Sequence, residues 1–434
     1  MQFRSTKGIS SLISYKDAVL NCLPDDGGLY VPDHSPDFRQ YFLHMDEKTN
    51  FNELVAAVAP LFFGNSLNPV AASKAAQSAY NFEPKLIKLD DKISILNLYS
   101  GPTGVFKDFG IAFMSAVLEE IVEDDRQVMI LAAARPDTGV SMAHAFSGRK
   151  GISLVLLYPS GHIRGLDPST FVQNGGNIIP IQVKGTFDDC QRLVVETILD
   201  REFSARYNVT SANSINPGRL FPQVFYYLYA FTQIKNFING DLLFSVPCGN
   251  FGNLISGLYA WKFGMPVNGF AAAMNANNSF AGFLHGQPFK PSRLITTNSP
   301  ALDVSFPLNY ERLSSFYEES PAVMRNMVYP VSIDDDTTFK TIEFVNKKYD
   351  IFIDPHTAVA FAAALKLMES GDEYEHSVIL ATGDPARSVN IVEESTRKAV
   401  KVPGNLIMLH RNSDAVAIIP PQLDAFEGAV ASCF

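Results

Sequence analysis

From about residue 95 onward the chain alternates. A short β-branched or leucine-rich run is followed by a loop and then by a longer amphipathic run. The short runs are Val128–Ala132, Leu154–Tyr158, Ile178–Val183, Leu242–Val246, Phe270–Ala273 and Val378–Ala381. The longer runs include Phe109–Val122, Phe187–Phe203, Phe221–Phe237, Asn253–Phe263 and Thr357–Met368. Within the first, Phe109, Ala112, Phe113, Ala116 and Val117 fall on one face of a helix. A strand that is apolar along its whole length has no side to offer water, so helices must cover both faces of its sheet. The pattern predicts an α/β fold with parallel sheets. Ligands of such sheets bind beyond the carboxyl ends of the strands, which directs attention to the residues just after each one.

Ahead of this region, residues 14–22 and 51–80 read as Ala-rich amphipathic helices. The first ends at a turn, Pro24-Asp25-Asp26-Gly27-Gly28, where glycine supplies a positive φ. A chain of 434 residues is long enough for two or three domains. Its hydrophobic fraction of 47% is too high for a disordered protein, and 45 acidic against 35 basic residues argues against a nucleic-acid binder. Cys22, Cys190, Cys248 and Cys433 show no CxxC spacing, so neither a disulfide framework nor a zinc site is expected, and no metal is assigned. No apolar run approaches the ~20 residues that span a bilayer, and the first residues lack a secretory apolar core. A cytoplasmic protein with no membrane partner is the expectation.

Two loops carry chemistry. After Leu242–Val246 comes Pro247-Cys248-Gly249-Asn250-Phe251-Gly252-Asn253. Two glycines between a buried strand and a helix start let backbone N–H groups converge on an anion, with the helix dipole behind them. The same residues also suit a tight strand-to-helix turn with no ligand. The second loop is Gly101-Pro102-Thr103-Gly104-Val105-Phe106-Lys107-Asp108-Phe109-Gly110. A lysine at the start of an apolar helix, between two phenylalanines, either extends to solvent or is buried. Burial would lower its pKa and make it a nucleophile toward an aldehyde. A phosphate cradle, a reactive lysine and a hydroxyl at Thr382, just after Val378–Ala381, together fit pyridoxal phosphate (PLP).

The combination resembles the threonine synthase family, PLP enzymes of fold type II (tryptophan synthase β-like). The likeness runs over Ser5–Gly8, Asp26–Pro32, Gly101–Thr103, Phe106–Gly110, Asp137–Gly139, Gly185–Cys190, Ser211–Asn216, Pro247–Asn253 and Asp354–Val359. It implies two parallel or mixed sheets flanked by helices. An N-terminal, mainly helical region would span residues 1–95. A two-lobed catalytic body would span 96–434, with a smaller mobile lobe at 110–205. By the same resemblance Lys107 would bind the cofactor as a Schiff base. Gly249, Asn250, Phe251, Gly252 and Asn253 would hold its phosphate, Thr382 would meet its pyridine nitrogen, and Asp137 would lie beside its phenolic oxygen. The family reaction expels phosphate from O-phosphohomoserine and adds water at Cβ.

The departures from the family pattern fall on the substrate side. The family's Ser-Gly-Asp-Thr-Gly is here Arg135-Pro136-Asp137-Thr138-Gly139, which loses a hydroxyl and a backbone N–H and gains a cation. Arg135 either faces an anionic substrate group or points to solvent. The family's Lys-Gly-Lys…Ser-Pro-x-Gln-Glu-Lys segment is replaced by Ser160–Ser169, which contains Arg164. Thr-Ala-His-Pro-Ala-Lys becomes Thr382-Gly383-Asp384-Pro385-Ala386-Arg387. Arg135, Thr138, Arg164, Asn213, Ser214, Asn216, Asp384 and Arg387 are the candidate substrate-binding residues. The first functional reading is a threonine synthase-like lyase acting on a small amino acid. The alternative is a PLP-dependent elimination or replacement enzyme for a different, more acidic amino acid. A non-catalytic relative of the fold is a third reading, which Lys107 and the phosphate loop oppose.

Overall fold

The computed structural model describes residues 1–122, 126–160, 175–370, 374–408 and 415–434. The chain opens with a short antiparallel sheet, β1 (Gln2–Ser5), β2 (Ile13–Ser14) and β3 (Tyr30–Pro32). Helix Tyr15–Asn21 packs on it, followed by Phe51–Phe63 and Pro69–Ala79, which pack on each other. There follow β4 (Lys85–Lys88), β5 (Ile93–Asn97), β6 (Val128–Ala133), β7 (Ile152–Pro159), β8 (Ile178–Val183) and β9 (Val209–Ser211). Then come β10 (Leu242–Pro247), β11 (Gly269–Met274), β12 (Val328–Ser332), β13 (His376–Ala381) and β14 (Ala417–Ile419).

Among the described residues these later strands form two sheets. The larger runs β12-β11-β10-β13-β5-β4 and is parallel except for β4, which pairs antiparallel with β5. The smaller runs β14-β8-β7-β6-β9 and is parallel throughout. The fold is α/β as the alternation predicted, with one parallel sheet and one made mixed by antiparallel β4, as the resemblance allowed. β6, β10, β11 and β13 are buried along their whole length, which is why they read as unbroken apolar runs.

Several expectations needed adjustment. The N-terminal region is not only helical: it holds β1–β3, and it also supplies β4 and β5 to the large sheet. The run Phe187–Phe203 is two helices, Phe187–Leu199 and Arg201–Tyr207, because Asp200 ends one and caps the next through Glu202 and Phe203 N–H. The run from Phe221 opens as a single 3₁₀ turn at Phe221–Gln223 and becomes an α-helix over Val224–Ile234. No helix among the described residues is long and apolar enough to cross a membrane.

The helix Lys107–Ile121 sits where these parts meet. Phe109 and Phe113 enter an aromatic cluster with Phe51, Tyr80 and Phe225. The Tyr80 hydroxyl donates to the Phe109 carbonyl at 2.8 Å. The N-terminal helices therefore hold the helix that begins with Lys107.

Candidate active site

The carboxyl ends of β5, β6, β9, β10 and β13 open onto one cavity between the two sheets. Lys107 reaches it through a defined local structure. Val105 forms a bridge with Gly383, and Phe106 N–H donates to the Thr382 carbonyl at 3.0 Å. These bonds bring the residues after β5 beside those after β13. Buried Asp108 accepts from Thr103 N–H at 2.8 Å and from the Thr103 and Ser141 hydroxyls, which fixes the turn that starts the helix. Gly101 is required there, since an added Cβ would stand 2.6 Å from an Asp108 carboxylate oxygen.

The Lys107 side chain is 15% exposed. Burial brings its amine down to about 8. Asp137, 3.8 Å away, opposes that shift, whereas Arg219, Arg135 and Arg387 add to it. A larger fraction of this amine than of an ordinary lysine is therefore neutral near neutral pH, which favours attack on an aldehyde. Burial alone would raise the Asp137 carboxyl. Arg387, at 2.9 Å, and Lys107 overcome it and hold the group well below the usual carboxylate range.

The loop after β10 is shaped by its neighbours. A Cβ on Gly249 would lie 2.6 Å from the Ala301 carbonyl oxygen, so this position takes no side chain. The left-handed residue is Phe251 (φ 56°), whose buried ring packs edge-on to Phe280 at 4.9 Å. The helix Gly252–Lys262 starts directly behind it, with its first N–H groups free of intrahelical partners. Asn253 receives the Tyr226 and Tyr227 hydroxyls on Oδ1 at 2.7 and 2.8 Å. Its buried Nδ2 has no partner among the described residues.

The remaining candidates separate by where their polar atoms are engaged. Thr138, Ser214, Thr382 and Arg387 line the cavity. Arg387 also donates to the Thr103 carbonyl at 2.8 Å. Arg135 lines the cavity, but its guanidinium donates to the Pro300 and Asp303 carbonyls, both at 2.6 Å. Asn213 faces the cavity with its amide spent on the backbone of Ala133, at 2.9 and 2.8 Å. Asn216 and Asp384 do not line the cavity. Asn216 binds Val19, Thr210 and Gly218, and Asp384 caps a turn through Ala386 N–H at 2.8 Å. Arg164 and the rest of 161–174 lie outside the described residues.

One residue escaped the sequence reading. Arg219 is 5% exposed, lines the cavity and donates to the Ala212 carbonyl at 2.7 Å. Its Nε has no partner, and among the described residues no carboxylate pairs with it. Burial brings its guanidinium down to about 10. The available signal was an arginine directly ahead of the apolar run Leu220-Phe221-Pro222.

A low-pKa lysine and a helix N-terminus with a side-chain-free approach fit a phosphorylated aldehyde cofactor. The comparisons agree. A model described as pyridoxal-phosphate dependent enzyme matches residues 84–383, and one described as threonine synthase N terminus matches residues 2–80. A threonine synthase of Serratia marcescens is 34% identical over 413 residues, covering 94% of each chain. The crystal structure of threonine synthase from Escherichia coli superposes with a TM-score of 0.92 at 31% identity, covering 100% of both chains. A PLP-bound threonine synthase from Brucella melitensis gives 0.87 at 26% identity, covering 100% of this chain and 99% of its own. The lining of the cavity fits that cofactor, and the chain belongs to the threonine synthase family of PLP-dependent lyases.

Proposed function

We propose that this chain converts O-phosphohomoserine and water into threonine and phosphate, in the cytoplasm. The observation that carries the reading is Arg219. The loop Gly249–Asn253 supplies one anion cradle, and Arg219 supplies a second cationic element in the same cavity without a carboxylate partner. A phosphorylated cofactor and a phosphorylated substrate together need two such places. Of the cations behind the alternative substrate, Arg135 is held on two backbone carbonyls and Arg387 on Asp137 and the Thr103 carbonyl with its Nε unpartnered, while Arg164 lies outside the described residues. This supports the reading in which the altered segments are compatible with the family substrate.

In this reading the cofactor, when bound, supplies an electron sink for the carbanions at Cα and Cβ. Lys107 moves the protons at Cα and Cβ, and its lowered pKa suits both taking and returning them. Asp137 sets the charge beside the lysine. The N–H groups from Gly249 to Asn253 and the hydroxyl of Thr382 orient the cofactor. Arg219 and the free Nδ2 of Asn253 receive the departing phosphate. Overall the Cγ–O bond breaks and a Cβ–O bond to water forms. One proton leaves Cβ, one arrives at Cγ, and the proton of water leaves with phosphate.

The test is incubation of the PLP-loaded protein with O-phosphohomoserine, following threonine and phosphate together. Equimolar release at ordinary enzyme rates, ~1–10³ s⁻¹, is expected. Arg219→Met should retain the cofactor and lose about 100-fold or more in kcat/KM. Turnover of another amino acid with none of this one would overturn the proposal.

A further inference from the structure

Arg135 is the N-cap of the helix Pro136–Phe146 that follows β6 and Asp137 lies in its first turn, yet they are tied in different directions. Asp137 pairs with Arg387, after β13 of the large sheet. Arg135 reaches a strap that follows β11. Its Nη1 donates to the Pro300 carbonyl and its Nη2 to the Asp303 carbonyl. The guanidinium lies 4.5 Å over the Phe187 ring, a cation–π contact from its own side of the cavity.

The strap is a firm anchor. The Asp303 carboxylate receives the Asn275 amide at 2.8 Å, the Thr297 hydroxyl at 2.7 Å and Thr297 N–H at 3.0 Å, and Asn275 directly follows β11. Ala301 N–H donates to His356 Nε2 at 3.1 Å. The Ala301 carbonyl oxygen lies beside Gly249 of the phosphate loop, 2.6 Å from where a Cβ there would stand. A displacement of the strap would therefore be felt at the cofactor phosphate.

We propose that Arg135 is a positioning residue that fastens the smaller sheet to the Pro300–Asp303 strap across the mouth of the cavity. It thereby holds the site closed before substrate arrives. Its acceptors are backbone carbonyls, which do not titrate. A site populated in its closed form binds substrate without first having to close, so loss of the clasp lowers apparent affinity by the fraction of time the site stands open. The proposal goes beyond the assigned reaction and does not depend on which amino acid is turned over.

The test uses the PLP-loaded enzyme without substrate, in two variants. Arg135→Met keeps bulk over Phe187 and removes both hydrogen bonds. Arg135→Lys keeps the charge but cannot span two carbonyls. Hydrogen–deuterium exchange at Ala301, Leu302 and Asp303 should rise about tenfold or more in both. KM should rise about tenfold with kcat changed less than about threefold. If Arg135 instead contacted a substrate anion, Arg135→Lys would keep KM and neither variant would change strap exchange. That result would overturn the proposal. Should Arg135→Met fail to fold, Phe187→Leu removes the stacking partner and should raise strap exchange in the same direction. Unchanged exchange in Arg135→Lys and Phe187→Leu would be equally fatal.

Discussion

Replacing Arg219 by methionine should make the protein more stable and less able to hold phosphate. The guanidinium is buried, and burial brings it from 12.5 to about 10. That displacement corresponds to about 3 kcal/mol against the charged form in the folded state. A cation whose folded pKa is depressed carries its full cost at every pH below the folded value, and the cost vanishes only as pH rises through the unfolded value. At pH 7 the whole cost is present. Methionine fills a similar volume without charge, but the bond to the Ala212 carbonyl is lost, worth about 1.5 kcal/mol for a charged donor. The net expectation is a gain of about 1–2 kcal/mol. The assay is urea unfolding of the PLP-loaded protein, followed by the fluorescence of Trp261, the chain's one tryptophan. With the cofactor in place, added inorganic phosphate probes the second anion position. Phosphate at ten times its dissociation constant should stabilise the native protein by about 1.4 kcal/mol and the variant by much less. Two results would refute the reasoning: a variant less stable than the native protein without phosphate, or equal stabilisation of both by phosphate.

Three other outcomes follow from the site. Lys107→Ala should abolish the visible absorbance of the lysine-bound cofactor and turnover, with far-UV circular dichroism unchanged. Asp137→Asn should cost about 1–3 kcal/mol at pH 7, because Arg387 loses its charged partner. A depressed carboxyl contributes stability above its unfolded pKa and loses it as pH falls through the folded one. The gap between native and variant proteins should therefore persist to pH 4 in urea titrations and close only in more acid solution. Gly249→Ala should weaken cofactor binding by about 1–3 kcal/mol, measured by equilibrium titration with PLP, because its Cβ meets a backbone oxygen of the strap.

The readings that held in the sequence share a physical basis. Ile178–Val183 was legible to the residue, and Leu242–Val246 to within one, because sheets covered on both faces demand unbroken apolar strands. Of the missed strands, β5 is internal and largely buried but lay in a region read as helical, and others are short or marginal. β9 has three residues and β14 three, and β12 contains Pro330, tolerable because β12 lies at the sheet edge. Such pairings draw their stability from distant partners that no local window contains.

The sequence by itself determined the architecture, the lysine at a helix start and the loop that approaches a phosphate. Each depends on periodicity or on a few neighbouring residues. Only the tertiary structure decided what the charges do. Arg135 read as either facing a substrate anion or pointing to solvent, and it is held by two backbone carbonyls more than 160 residues away, acceptors that every residue carries and no composition marks. Arg219 looked unremarkable and is a buried cation with no carboxylate partner among the described residues, because its burial is set by elements remote in the chain. Charge type is written in the residue, whereas desolvation and partner are set by the fold.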